Sequence, residues 1–122
     1  MKQKVKSIRP FIGAKDFEVS RNFYQDLGFQ EVVIDHDFSY FNAQGFGFYL
    51  QAYYVQDWVD NTMVFIEVEN VWEYWEELVA LNLTAKYETA KLTPIRTMEW
   101  GSECFLHDPS GILWHFGQFE KK

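Results

Sequence analysis

Apolar and polar positions alternate with a period of two over Val5–Ala14, putting Ile8, Pro10 and Ile12 on one face and Arg9, Phe11 and Gly13 on the other. That pattern predicts a strand with two different environments. Asp16 follows where a helix N-cap belongs, its carboxylate able to accept from the first free backbone N–H groups. The spacing predicts a helix over Phe17–Leu27, with Phe17, Phe23, Tyr24 and Leu27 as core contacts and Gly28 as its stop. Further strands are predicted at Phe29–Asp35, Phe38–Asn42 and Phe46–Tyr54, with turns at Asp35-His36-Asp37 and Gln44-Gly45. The order is β-α-β-β-β.

After a linker around Gln56–Asn61 the pattern restarts. Met63–Glu69 alternates, with Val64, Ile66 and Val68 opposite Met63, Phe65 and Glu67. Asn70 caps a second helix, Val71–Leu81, and Glu73 completes a capping-box arrangement. That helix is expected to carry Trp72, Trp75 and Leu78-Val79 toward the core. A short strand at Leu83–Glu88, a longer or interrupted one at Ile95–His107 and a last one at Ile112–Phe119 follow. The final pair is joined by Asp108-Pro109-Ser110-Gly111, where Asp bonds its own downstream backbone, Pro presets φ and Gly accepts a positive φ.

The halves correspond at an offset of 54 residues: Phe11-Ile12 with Phe65-Ile66, Asp16 with Asn70, Phe29 with Leu83. Identities are few, but strand, cap, helix and strand agree in register, which is the mark of an internal repeat. The longer second half implies a loop insertion near Thr89–Pro94. One domain over residues 1–122 is expected, with module one at about 5–55 and module two at about 62–119.

Composition adds three points. Aromatic residues make up 20% of the 122, more than a core of this size requires, which suits an aromatic pocket or a subunit interface. A net charge of −7 argues against nucleic acid and anionic membrane surfaces and is compatible with a cationic ligand. Cys104 is the single cysteine, so an intramolecular disulfide and a cysteine-based zinc site are excluded, and its apolar strand suggests an inert core thiol. With neither a signal peptide nor a bilayer-length apolar run in the sequence, the expectation is a cytoplasmic protein with no membrane partner.

Three stretches carry a family likeness: Gly13-Ala14-Lys15-Asp16 entering the first helix, Phe23-Tyr24-Gln25-Asp26-Leu27-Gly28-Phe29 leaving it, and Trp100-Gly101 ahead of Phe105-Leu106-His107-Asp108-Pro109-Ser110-Gly111. With the repeated module, they resemble the vicinal oxygen chelate superfamily, which includes glyoxalase I, extradiol dioxygenases and the fosfomycin and bleomycin resistance proteins. The resemblance implies an α+β fold of two tandem βαβββ modules forming a curved-sheet cup. It places Arg9, Phe11, Gly13, Tyr49, Gln51, Tyr53, Met63, Phe65, Glu67, Leu113, His115 and Gly117 on the inner wall.

In the metalloenzymes of that superfamily the ligand positions map onto Arg9, Gln51, Met63 and His115. Arg is a permanent cation without a free lone pair, and a Met thioether is too soft for Mn, Fe(II), Ni or Mg. Gln51 and His115 alone are too few, so neither metal nor other cofactor is expected. Metal-free acid–base chemistry would need Glu67 and His115 as base and partner with Arg9 holding an anion; otherwise Arg9 and Glu67 neutralise each other and His115 is structural. The resemblance thus implies a binder of the bleomycin resistance kind: a homodimer holding a planar or cationic small molecule, with Trp58 and Trp100 as candidate interface residues. The ligand-binding expectation is Arg9, Phe11, Tyr49, Gln51, Tyr53, Met63, Phe65, Glu67, Trp100 and His115, with no catalytic residue. The alternatives are a metal-dependent glyoxalase-type lyase, isomerase or dioxygenase, and a non-catalytic accessory or regulatory domain.

Overall fold

A computed structural model describes residues 2–120. Module one comprises β1 (Phe11–Gly13), α1 (Phe17–Leu27), β2 (Gln30–Asp35), β3 (Phe38–Ala43) and β4 (Phe46–Gln51). A short helix, α2 (Gln56–Asp60), leads to module two: β5 (Met63–Glu67), α3 (Val71–Ala80), α4 (Leu83–Lys86), β6 (Lys91–Met98), β7 (Gly101–His107) and β8 (Leu113–Phe119). Each module builds a four-stranded sheet of the same order, β1-β4-β3-β2 and β5-β8-β7-β6. The first strand of each runs parallel to the last, and the remaining pairs are antiparallel. This is the α+β arrangement of two tandem βαβββ modules expected from the sequence.

The helix caps are local chemistry. Asp16 Oδ1 accepts from Val19 N–H at 3.2 Å, and Asn70 Oδ1 accepts from Glu73 N–H at 3.1 Å, so each helix starts on a satisfied donor. Gly28 caps α1 at φ 113, and 54 residues on Asn82, directly after the α3 cap Leu81, is also left-handed at φ 58. The repeat therefore extends to the left-handed stop itself.

Beyond Asn82 the modules part company. Leu83–Lys86 is one turn of helix, not the predicted strand, because Tyr87 reaches back to module one. Its ring packs edge-on against Phe23 at 5.2 Å, and its hydroxyl donates to Asp26 Oδ2 at 2.6 Å. The predicted loop at Thr89–Pro94 is largely strand: β6 starts at Lys91, and Pro94 lies in a bulge between Thr93 and Arg96 on a sheet edge, where its missing N–H breaks no needed bond. Ile95–His107 is a β6–β7 hairpin turning at Glu99-Trp100. The Gln56–Asn61 linker holds α2, which buries Val59.

Strand β1 is shorter than predicted. Pro10 has no N–H for the ladder, and its carbonyl only accepts from Tyr49 N–H, so pairing begins at Phe11. Ile8, assigned to a core face by its alternation, is exposed. Strand β4 likewise ends at Gln51, and Tyr53 lies beyond it. Trp72 and Val79 also face solvent, whereas Leu78 is buried and Trp75 packs against the core. The core takes its apolar atoms from the helix-bearing faces of both sheets, with Ile12, Phe23, Tyr24, Phe41, Leu50, Trp114 and Phe116 fully enclosed. Burying each such side chain contributes about 1.5–3 kcal/mol.

The Asp108 turn joins the modules. Asp108 Oδ1 accepts from the backbone N–H groups of Ser110, Gly111 and Ile112 at 2.8–2.9 Å, as its turn position implies. Its other oxygen accepts from the Tyr24 hydroxyl at 2.5 Å, and that hydroxyl accepts from Trp114 Nε1 at 2.9 Å. Ser110 Oγ accepts from Lys15 N–H and lies 3.3 Å from Ser20 Oγ. Burial pushes the Asp108 carboxyl above the usual aspartate value, against the pull of its four donors. Among the described residues, no helix is long and apolar enough to cross a membrane.

Candidate functional site

In each sheet one face is committed to the core, and alternation sends the neighbouring side chains to the other face. On the first sheet that open face carries Phe11, Phe38, Tyr40, Tyr49 and Gln51. Phe11 stacks on Tyr49, with centroids 4.8 Å apart and planes at 28°, and Phe38 closes the group at 5.8–6.1 Å. The Arg9 guanidinium lies over the Tyr40 ring at 3.9 Å and donates from Nη1 to the Tyr49 hydroxyl at 3.1 Å. Arg9 is thus satisfied by aromatic neighbours, not by Glu67. An open groove of ≈ 490 Å³ runs beside this cluster, lined by Phe11, Asp35, Asp37, Phe38, Gln51, Ala52 and Tyr53. A smaller recess beneath Tyr53 and Trp58 shares Phe11 and Gln51.

The second sheet's open face carries Met63, Phe65 and Glu67 on β5, Leu113 and His115 on β8, and Glu103, Phe105 and His107 on β7. Phe65, Trp100 and Phe119 form one aromatic group at 5.3–6.1 Å. Gly117 leaves room for it, since a Cβ there would meet the Phe65 ring at 2.5 Å. His115 pairs with Glu103, Nδ1 to Oε1 at 2.8 Å, and Arg96 Nη2 stands 3.7 Å from the other oxygen. The partner of His115 is therefore Glu103, not Glu67.

The predicted ligand-binding residues fall into two groups. Arg9, Phe11, Tyr49, Gln51 and Tyr53 gather on the first sheet; Met63, Phe65, Glu67, Trp100 and His115 lie on the second. Among the described residues, no aromatic contact or hydrogen bond joins the groups within one chain. Sequence reasoning passed over Phe38, Tyr40, Asp35, Asp37, Glu103 and Arg96. One signal for Glu103 was present, a lone carboxylate inside the strand Gly101-Ser102-Glu103-Cys104-Phe105.

The metal positions of the resembled family do not fit a metal here. Arg9 has no lone pair and is held on Tyr40, and Met63 is an exposed thioether, which leaves too few suitable donors beside His115. The register also shows that His115 corresponds to Tyr49, because Phe65 pairs with His115 as Phe11 pairs with Tyr49. Gln51 therefore matches Gly117 and is not part of a matched ligand set. Asp35, His36 and Asp37 bring potential donor atoms within 4.8 Å of one another, all exposed at the β2–β3 turn, where Asp35 raises the His36 pKa by hydrogen bonding. Cys104 is buried, and burial pushes its thiol up to about 11, so it is not a nucleophile at neutral pH.

Two mixed sheets of identical order on a shared core, with aromatic open faces, define a paired-module α+β protein. Its fold matches the bleomycin-binding protein of the bleomycin-producing Streptomyces verticillus, solved with copper(II)-bleomycin (25% identity, TM-score 0.76, covering 96% of this chain and 100% of that one). It also matches the bleomycin resistance determinant encoded on transposon Tn5 (18%, 0.78, 96% and 100%) and a glyoxalase-related enzyme from Fulvimarina pelagi (18%, 0.66, 93% and 88%). No family model and no curated protein matches the sequence. The chain has the fold of the vicinal oxygen chelate superfamily.

Proposed function

We propose that this chain, a single glyoxalase-like domain, binds and sequesters a planar, cationic small molecule of the bleomycin type, without a metal or other cofactor of its own. The observation that carries this reading is the groove in which Phe11, Phe38 and Tyr53 stand beside Asp35 and Asp37. Aromatic faces attract a planar cation, and the two carboxylates give the groove its sign. Arg9 keeps its positive charge but does not line that groove: its guanidinium is held over the Tyr40 ring and on the Tyr49 hydroxyl. The binding residues in this reading are Arg9, Phe11, Tyr49, Gln51 and Tyr53 on one wall, and Met63, Phe65, Glu67, Trp100 and His115 on the other.

The two walls belong to one cup if the first sheet of one protomer opposes the second sheet of its partner, and the reading therefore includes a homodimer. Exposed Phe11, Tyr53, Trp58, Met63, Phe65, Trp100 and Phe119 support this, since such apolar area favours burial. Native mass spectrometry with and without bleomycin, and with Ni, Zn, Mn or Fe(II), tests the reading. It expects a dimer that takes bleomycin and no tight stoichiometric metal. One metal per site would put the glyoxalase-type enzyme in its place.

A further inference from the structure

The second sheet's open face holds a polar device that the aromatic groove does not use. Phe105 on β7 lies opposite His115 on β8, and Glu103 is one step along the same face. The Glu103 side chain is only 6% exposed, and its oxygens are divided between His115 Nδ1 and Arg96. A carboxylate accepts and does not donate, so the bridging proton sits on Nδ1. In a neutral imidazole the other nitrogen, Nε2, is then a bare acceptor. Among the described residues, nothing bonds to Nε2, and it is not among the buried atoms lacking a partner. It therefore reaches solvent. The ring is steadied by the edge of Phe105 at 4.8 Å and by Phe65 at 6.3 Å.

A lone pair with a fixed direction, set among aromatic rings, suits one kind of ligand group. We propose that Glu103 locks His115 in the Nδ1–H form, so that Nε2 is a hydrogen-bond acceptor for an N–H donor on a planar cation such as an amidinium or guanidinium, with Phe65 and Trp100 as the stacking surface. This rests on the reading above that the cup takes a planar cation, and it adds that the cation must carry a donor. Glu103 is a positioning residue, and Arg96 balances its charge from outside. A purely structural Glu103–His115 pair would leave Nε2 indifferent to any ligand.

The test uses the full chain labelled with 15N-histidine at about pH 8, above the ordinary histidine range. The His115 nitrogens are followed while adding benzamidinium, a planar cation with N–H donors, or phenyltrimethylammonium, a cation without them. The expected result is Nδ1–H in the free protein and an Nε2 shift with benzamidinium alone. His115→Gln, whose carbonyl oxygen can stand in for Nε2, keeps benzamidinium affinity within about threefold. His115→Asn, which still donates to Glu103, loses about tenfold, the worth of one hydrogen bond. An equal response to both cations, no response to either, or wild-type affinity in His115→Asn overturns the proposal. Calorimetry with metal-free bleomycin separates it from the functional reading. Bleomycin binding with a silent Nε2 sinks only the acceptor subsite, and an Nε2 response to benzamidinium without bleomycin binding sinks only the functional reading.

Discussion

The two modules share strand order and register, yet they place different chemistry at matched positions. Phe11 and Tyr49 stand in module one where Phe65 and His115 stand in module two, and Tyr40 stands where Phe105 does. Module one's open face is aromatic, with one cation folded onto it; module two's carries a carboxylate–imidazole pair. The helix side differs as well, because each module places a carboxylate there under opposite constraints. Glu31 meets Arg21 through two bonds at 2.7 and 3.1 Å and accepts from Ser39 and Gln25. Asp108 is enclosed and, among the described residues, accepts only from neutral donors. One backbone plan thus leaves the side chains free to differ, and local partners decide what each face can do.

The largest effect is expected from breaking the connection between modules. Asp108→Ala strands three backbone donors, that of Ile112 buried, together with the buried Tyr24 hydroxyl and the turn itself, and should cost roughly 3–5 kcal/mol in urea unfolding. Tyr24→Phe removes only the hydroxyl between Asp108 and Trp114, for an expected loss of about 1–3 kcal/mol. If both changes prove near-neutral, the turn does not couple the modules.

A pH series sharpens the contrast between the carboxylates. At Glu31, burial acts to raise the pKa, but Arg21, Ser39 and Gln25 together bring it below the usual value. Its folded pKa is depressed, so its contribution is present above the unfolded value of 4.5 and is lost as pH falls through the folded one. Asp108 is raised by burial, so its contribution is complete below 3.8 and is lost as pH rises through the folded value. Glu31→Gln should therefore flatten the acid limb of the stability curve. Asp108→Asn should be most destabilised relative to wild type at low pH, with the gap closing as pH rises. The same sign for both variants would contradict the assignment.

The smallest effect on stability is expected on the open faces. Arg9→Ala should change the unfolding free energy by no more than about 0.5 kcal/mol, because Arg9 is exposed and its partners are the open-face residues Tyr40 and Tyr49. It should nevertheless alter ligand titration monitored by tryptophan fluorescence, since it exposes the Tyr40 and Tyr49 rings. An Arg9→Ala chain with unchanged stability and unchanged binding would remove Arg9 from the wall.

Local chemistry made much of this fold readable in the chain. Asp16 and Asn70 cap their helices because a short acceptor side chain one residue ahead needs no distant partner. Asp108 likewise bonds its own turn, and the alternation of Ile12 with Phe11 and Gly13 sorts core from open face. Where the outcome depended on residues far apart, only the tertiary structure decided it. Leu83 begins a helix because Tyr87 finds Phe23 and Asp26, some 60 residues away, and Trp72 stays exposed although it is as apolar as the core residues of its helix. Glu103, not Glu67, meets His115 because β7 and β8 are neighbours in the ladder, while the Glu67 side chain remains exposed on the edge strand β5. Arg9 settles on Tyr40 through a strand pairing that alternation cannot reveal. Periodicity and capping are properties of a few consecutive residues, whereas partner choice across a sheet depends on register, which the whole folded chain sets together.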